Sequence, residues 1–334
     1  MIGPSPVGKI NARIAGLGMY APEKVLTSTE LARQLDISEE WITSRVGVRE
    51  RHIAAAGEAA SAMGAVAAER ALAAAGVAPD EVDLLIVATE TPDRPIPSAA
   101  CILQRRLGLS RAAAFDLNAA CSGFVYALTV GSQFVASGAY RNILVVGAEV
   151  VSRSVDWTDA ATCILVGDGA GAAVLQPTTP DKGILAWKLG ADGRGADFLT
   201  IPAGGSEMPL THELLDAKLN SVVMNGQEVF MFALRTVPAI TAEVLEMADL
   251  SLDDVALFVP HQANSHILEA VARKMDLPEE KLMMNIARYG NTVAATIPIA
   301  LYEAAEQGRI KTGDIVVLAG FGAGLTWGAV VMRW

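Results

Sequence analysis

Asp116-Leu117-Asn118-Ala119-Ala120-Cys121-Ser122-Gly123-Phe124 is the stretch whose reading decides the fold. An apolar run, 112–115, leads into it, and no Asp, Glu, Lys or Arg stands between positions 121 and 140. That pattern predicts a buried strand, a tight turn, and a buried helix that begins at the cysteine. A thiol at a helix start faces unpaired N–H groups and the positive end of the helix dipole. Both favour thiolate, so its pKa should fall from ~8.5 toward neutrality. A lone cysteine among apolar residues is equally the signature of a structural core position. The choice between the two depends on what the rest of the chain places near it.

Working outward, 12–19 reads as a first strand, and Thr27-x-x-Glu30 is a capping box that opens a short helix. An Ala-rich helix is expected at 58–75, a continuous apolar strand at 82–89, a helix at 98–107 and a strand at 142–147. Strands alternating with helices at this spacing predict an α/β fold with a mainly parallel sheet. Gly167-Asp168-Gly169-Ala170-Gly171-Ala172 formally matches a dinucleotide fingerprint. No long helix can follow it, because an apolar Ala173-Val174-Leu175 and then Pro177 come next. Two short strands around a glycine turn are expected instead. The second half, from about 178, repeats the α/β alternation: a long helix at 228–247, a strand at 255–259, helices on either side of Tyr289-Gly290-Asn291-Thr292, a strand at 315–319, a glycine loop at 320–324 and a last strand. No sequence repeat relates the two halves by eye.

Composition excludes several classes. The chain has 334 residues, is 52% hydrophobic and carries a formal charge of −11. The acidity argues against a nucleic-acid or anionic-membrane partner. Its three cysteines, Cys101, Cys121 and Cys163, are too widely spaced for metal pairs or a disulfide framework, which fits a reducing cytoplasm. Residues 1–9 hold Gly and Pro where a signal peptide needs an apolar core. The uncharged 121–140 stretch is long enough to span a membrane, but its serines, glutamine and glycine favour a buried helix.

Two residues extend the cysteine into a constellation. His261, in Val259-Pro260-His261-Gln262-Ala263-Asn264, and Asn291 are each expected where an apolar strand gives way to a helix. Strand carboxyl ends gather the chemistry of open α/β sheets. Cys with His is the pattern of an activated thiol nucleophile, and an Asn carboxamide donates to an oxyanion at any pH. Singly, His261 also reads as a core histidine, Asn291 as a turn residue and the 320–324 glycines as a tight turn. The segment 38–52 gathers Trp41 with Arg45, Arg49 and Arg51 in a chain poor in aromatics. It reads either as a solvated helix end or as a grip for a phosphorylated ligand.

Together, Asn118-Ala119-Ala120-Cys121-Ser122-Gly123-Phe124, Gly167-Asp168-Gly169-Ala170-Gly171, Val259-Pro260-His261-Gln262-Ala263-Asn264, Gly290-Asn291-Thr292 and Gly320-Phe321-Gly322-Ala323-Gly324 resemble the 3-oxoacyl-acyl-carrier-protein synthase III family of the thiolase superfamily, almost end to end. The resemblance implies a five-layered αβαβα fold of two pseudo-symmetric halves, 1–177 with the nucleophile and 178–334 with His and Asn. It implies a cytoplasmic homodimeric acyltransferase that initiates fatty-acid synthesis from acyl-CoA and malonyl-acyl carrier protein, without metal or cofactor. It assigns Cys121 as nucleophile, the backbone N–H groups of Cys121 and Ala323 as oxyanion hole, and His261 and Asn291 as partners of an enolate oxygen. Trp41, Arg45 and Asn264 would grip CoA. Ile96 and Phe321 would bound the acyl pocket, Ile96 from a loop that enters the partner subunit. His266, Arg273 and Lys274 would dock the carrier. Where the family has basic residues, this chain has Ala160, Met231 and His266. Thiolases carry a second cysteine where Phe321 stands, and elongating synthases carry a second histidine where Asn291 stands. Two other outcomes remain in view: a related acyltransferase of a secondary-metabolite pathway, and a catalytically idle dimer partner.

Overall fold

The computed structural model describes residues 10–334. The signal-peptide argument for 1–9 lies outside the described residues.

The first half builds a five-stranded sheet from β1 (Asn11–Tyr20), β2 (Leu84–Ala88), β3 (Ala113–Leu117), β4 (Ile143–Glu149) and β5 (Gly169–Thr178). Their spatial order is β1-β5-β4-β2-β3. The second half builds a four-stranded sheet from β6 (Gly183–Ala191), β7 (Val255–Pro260), β8 (Ile315–Gly322) and β9 (Thr326–Arg333), in the order β6-β9-β8-β7. By position within its half, the first sheet reads 1-5-4-2-3 and the second 1-5-4-2. The missing strand survives as one parallel bridge, Leu282 to Phe258. The expectation of a mainly parallel sheet holds for strand direction with one exception in each sheet: β1, β2, β3 and β4 run the same way, and so do β6, β7 and β8. In each sheet the last strand runs against both neighbours: β5 against β1 and β4, β9 against β6 and β8. Only the pairs β2–β3, β2–β4 and β7–β8 are parallel. An antiparallel strand is as apolar as a parallel one when helices cover both faces, so composition could not separate them.

The helices of eight residues or more are α1 (Ser28–Leu35), α2 (Glu39–Val46), α3 (Ala60–Ala75), α4 (Ala99–Leu107), α5 (Gly123–Ala136), α6 (Gly226–Met247), α7 (Ser265–Lys274) and α8 (Thr296–Glu306). The Thr27–Glu30 capping box is formed in both directions. Three apolar interfaces stack the layers. α3 and α4 cover the outer face of the first sheet, α5 and α8 fill the space between the sheets, and α6 and α7 cover the second. The Ala-rich α3 lies almost on the backbone of β1. A Cβ at Gly18 would stand 2.2 Å from the Ala67 carbonyl oxygen, so the small residues of both elements permit the contact. In α5, Phe124, Val125, Leu128 and Val135 are at most 1% exposed, each contributing ~1.5–3 kcal/mol of burial. This is why the uncharged 121–140 stretch is a core helix. Among the described residues, no helix is long and apolar enough to cross a membrane.

The Gly-Asp-Gly stretch departs from expectation. It enters one long strand, β5, whose Pro177 pairs across β1 with Ala12, and no glycine turn divides it. Gly320 and Gly322 likewise belong to β8, and the turn is confined to the residues between β8 and β9.

Candidate active site

Three first-sheet strands end side by side, with Ala88 of β2 flanked by Leu117 of β3 and Gly147 of β4. Cys121 follows β3. It sits in a single 3-10 turn, Ala120–Ser122, and α5 starts two residues later than the sequence suggested. The turn is built by Asn118, whose Oδ1 accepts the Ala120 N–H at 3.1 Å, while Ala120 takes a left-handed φ of 46°. Asn291 heads the same device: its Oδ1 accepts the Val293 N–H at 2.9 Å, Val293 has φ 49°, and a 3-10 turn, Val293–Ala295, leads into α8. These two turns touch, and the Cys121 turn also packs against β8. Contrary to expectation, Asn291 does not follow a strand. It comes after the helical turn Ile286–Tyr289 and Gly290, and Leu165 and Gly167 pin its backbone N–H and C=O.

Cys121 is 5% exposed. The expected fall of its pKa toward neutrality is overturned. Burial pushes the thiol well up, and the charges of Glu90 and Glu149 add to the rise. The backbone N–H groups of Cys121 and Ala323 point at the sulfur and oppose it. β8 closes the other side. A Cβ at Gly322 would lie 2.7 Å from Cys121 Cβ and 2.9 Å from its Sγ, so only glycine lets the strand pass there.

His261 follows β7 as expected and is 1% exposed. Burial pushes its pKa down to about 3, so the ring is neutral. Its Nδ1 lies 2.7 Å from Thr296 Oγ1, which is itself 2.9 Å from the Val293 carbonyl oxygen. One short turn thus links His261 to Asn291. Because Asn291 Oδ1 is occupied by the Val293 N–H, its Nδ2 donors are left for a ligand.

Phe321 was expected in an acyl pocket. Strand alternation turns it away from Gly320 and Gly322, which face the Cys121 turn, and sets its ring edge-to-face on His261 at 5.3 Å. Ile96, on the loop after β2, is 86% exposed and encloses nothing within one chain.

The stretch 38–52 divides. Arg45 stacks over Trp41 at 4.2 Å on α2. Arg51 is instead fully buried and donates to the carbonyls of Leu26 and Ile164 and to Ser28 Oγ, so it grips no ligand. Asn264 caps α7 through Oδ1 and donates from Nδ2 to the Arg45 carbonyl at 3.2 Å, and His266 Nε2 contacts the Ser44 carbonyl. The expected docking patch is already engaged. Arg273 is 3.8 Å from Glu269, His266 is 4.0 Å from the same carboxylate, and Lys274 donates to the Leu234 carbonyl at 3.1 Å.

Sequence reasoning missed Thr296, Val293 and two carboxyls beside Cys121. Glu149 ends β4, fully buried, and accepts from the hydroxyls of Thr89 and Thr91 and the backbone of Glu90 and Thr91. Burial pushes Glu90 up to about 7. The available signal was an acidic residue closing an otherwise apolar strand.

Comparison with known proteins agrees with this architecture. Residues 115–193 match the family model for 3-oxoacyl-acyl-carrier-protein synthase III, and 245–334 match the model for its C-terminal part. The chain is 50% identical over 323 residues to the beta-ketoacyl-acyl-carrier-protein synthase III of Roseiflexus castenholzii, covering 97% of this chain and 98% of that one. It is 50% identical over 329 residues to the enzyme of the same name from Symbiobacterium thermophilum, covering 98% of each. The crystal structure of the Aquifex aeolicus 3-oxoacyl-acyl-carrier-protein synthase III superposes with a TM-score of 0.90 at 43% identity, covering 97% of this chain and all of that one. The two stacked sheets are therefore the thiolase-like fold, and the chain belongs to the 3-oxoacyl-acyl-carrier-protein synthase III family.

Proposed function

We propose that the chain is the initiating condensing enzyme of fatty-acid synthesis, an acyltransferase working in two half-reactions on a Cys121-His261-Asn291 site. In the first, Cys121 as thiolate attacks the thioester of an acyl-CoA. The tetrahedral oxyanion is held by the N–H groups of Cys121 and Ala323, CoA leaves, and an acyl-enzyme remains. In the second, malonyl-acyl carrier protein loses CO₂. The enolate oxygen is held by His261 and Asn291, the enolate carbon attacks the acyl thioester, and 3-oxoacyl-carrier protein departs from the Cys121 thiolate. Neither half needs a metal or cofactor.

The observation that best supports this reading is that the buried Cys121 turn touches the turn headed by Asn291, to which Thr296 ties His261. A site that raises a thiol's pKa by burial makes the resting thiol inert. Donors aimed at the sulfur and at the incoming carbonyl repay that cost only when substrate arrives. The stacked Trp41–Arg45 pair beside Asn264 is assigned to the CoA nucleotide, and Arg273, Lys274 and His266 to the carrier. Their internal engagement with Glu269, Ser44 and Leu234 means that docking must displace existing contacts. Ile96 is assigned to the acyl pocket of a second copy in a homodimer, which accounts for so exposed an apolar residue. Phe321 is assigned to the same pocket at the His261 side. The halves are taken as 1–177 and 178–334, supported by their shared strand order. The place of action is taken as the cytoplasm.

The test is intact and peptide mass spectrometry after incubation with a panel of acyl-CoAs. One acyl group per chain, on the peptide carrying Cys121, is expected. Labelling confined to Cys101 or Cys163 refutes the assignment.

A further inference from the structure

The Thr296 hydroxyl stands between two atoms that can each take its proton, His261 Nδ1 at 2.7 Å and the Val293 carbonyl oxygen at 2.9 Å. A hydroxyl has one proton to give, and a neutral imidazole has one proton to place on either of two nitrogens. The direction of the Thr296 bond therefore decides which His261 nitrogen is a donor. The Val293 carbonyl already receives the Thr296 backbone N–H, so it is not orphaned when the hydroxyl turns away. Nδ1 is deep in the protein, and among the described residues the hydroxyl is its one recorded hydrogen-bond partner.

We propose that Thr296 is a positioning residue whose hydroxyl donates to His261 Nδ1, so that Nε2 carries the ring proton and faces the substrate as a donor. The opposite arrangement, with Nδ1–H donating to the hydroxyl and the hydroxyl to Val293, makes one more internal bond. It turns a bare Nε2 lone pair toward the place where an enolate oxygen gathers negative charge. The other member of the pair shows what the turn is built for. The Val293 N–H occupies Asn291 Oδ1 and leaves only donors facing outward. One turn, 293–296, thus supplies a donor to the inward acceptor of each residue, and both outward atoms become donors. It does so from a left-handed Val293, φ 49°, a conformation that costs a β-branched residue energy and persists where the surroundings over-determine it.

The inference rests on the assignment of His261 to the decarboxylation half, and its test separates the two. Long-range ¹H–¹⁵N spectra of the full chain read the tautomer directly. There are four histidines, and the signals lost in His261→Ala identify the ring. A protonated Nε2 and bare Nδ1 are expected in the unmodified protein. Thr296→Val should lower decarboxylation of malonyl-carrier protein by about 10²-fold, the usual effect of losing one oxyanion donor, with Cys121 acylation within a few-fold of normal. Thr296→Ser should restore both the spectrum and the rate. A protonated Nδ1 in the unmodified protein overturns the proposal even if Thr296→Val fails to fold. So does Thr296→Val decarboxylating at the unmodified rate. If His261→Ala condenses normally, the assignment of His261 fails, while the tautomer is still read from the spectra.

Discussion

Gly322→Ala replaces a hydrogen by a methyl group where β8 passes against the nucleophile. Gly322 is not among the residues with positive φ, so alanine meets no backbone penalty and the effect is steric. The new Cβ would lie 2.7 Å from Cys121 Cβ, 2.9 Å from Sγ and 3.0 Å from the Cys121 nitrogen. Carbon atoms rest at ~3.5 Å or more, so strand and turn must separate by about 0.8 Å, the difference between 3.5 and 2.7. That displacement falls on the sulfur and on both N–H groups aimed at it. A misplacement of ~1 Å costs on the order of 10²-fold in rate, about 2.7 kcal/mol of barrier. Single-turnover acylation followed by quenched mass spectrometry should show this loss, with a modest fall in Tm from overpacking of ~1–3 kcal/mol. Gly193→Ala is the control, because nothing lies within 4 Å of its added Cβ, and it should acylate normally. Gly322→Ala acylating within threefold of the unmodified protein would refute the claim that β8 positions the thiol.

Three further outcomes are expected. Asn291→Ala should still form the acyl-enzyme yet lose ~10²–10³-fold in CO₂ release from malonyl-carrier protein, and condensation at a near-normal rate rules the assignment out. Ile96→Phe should move the kcat/KM ranking from four- and five-carbon acyl-CoAs toward acetyl-CoA, since each accommodated methylene is worth ~0.8 kcal/mol, about fourfold; a tenfold acetyl preference in the unmodified chain removes the argument. Glu90 carries the pH dependence. Its carboxyl is raised from 4.5 to about 7, so the folded state holds a proton that the unfolded chain releases. That stabilisation is complete below 4.5 and is lost as pH rises through 7. Relative to Glu90→Gln, the unmodified chain should therefore lose on the order of 1–3 kcal/mol between pH 4.5 and 8 in denaturant titrations, and parallel profiles contradict this. Above pH 7 the new charge also opposes the Cys121 thiolate, so acylation should rise less steeply with pH in the unmodified chain than in the variant.

What the sequence disclosed was set by local patterning. The buried helix after Cys121, the capping box at Thr27 and the α/β alternation all follow from apolar spacing within a dozen residues. The strand directions do not, because β5 and β9 have the same apolar composition whichever way they run. Cys121, His261 and Asn291 were legible as residue types at element ends. The raised thiol was not, because it comes first from burial in the assembled fold and then from Glu90 and Glu149, brought from the ends of two other strands. Arg51 looked like a ligand for phosphate and is a buried tie between segments more than a hundred residues apart. Phe321 was expected at the acyl pocket, and pleat alternation sets its ring edge-to-face on His261, a contact that no local pattern discloses.

The asparagine turn occurs twice, at Asn118–Ser122 and Asn291–Ala295, and the two copies lie against each other where the halves meet. In each, the third residue after the asparagine stands at the same point of the turn: Cys121 in one copy, Ala294 in the other. The two like turns differ in what that position carries: one presents a thiol, and the other leaves the position inert and its asparagine's Nδ2 donors free. The asymmetry of a two-substrate reaction could then be written into a nearly symmetric scaffold by single substitutions, with no change of fold.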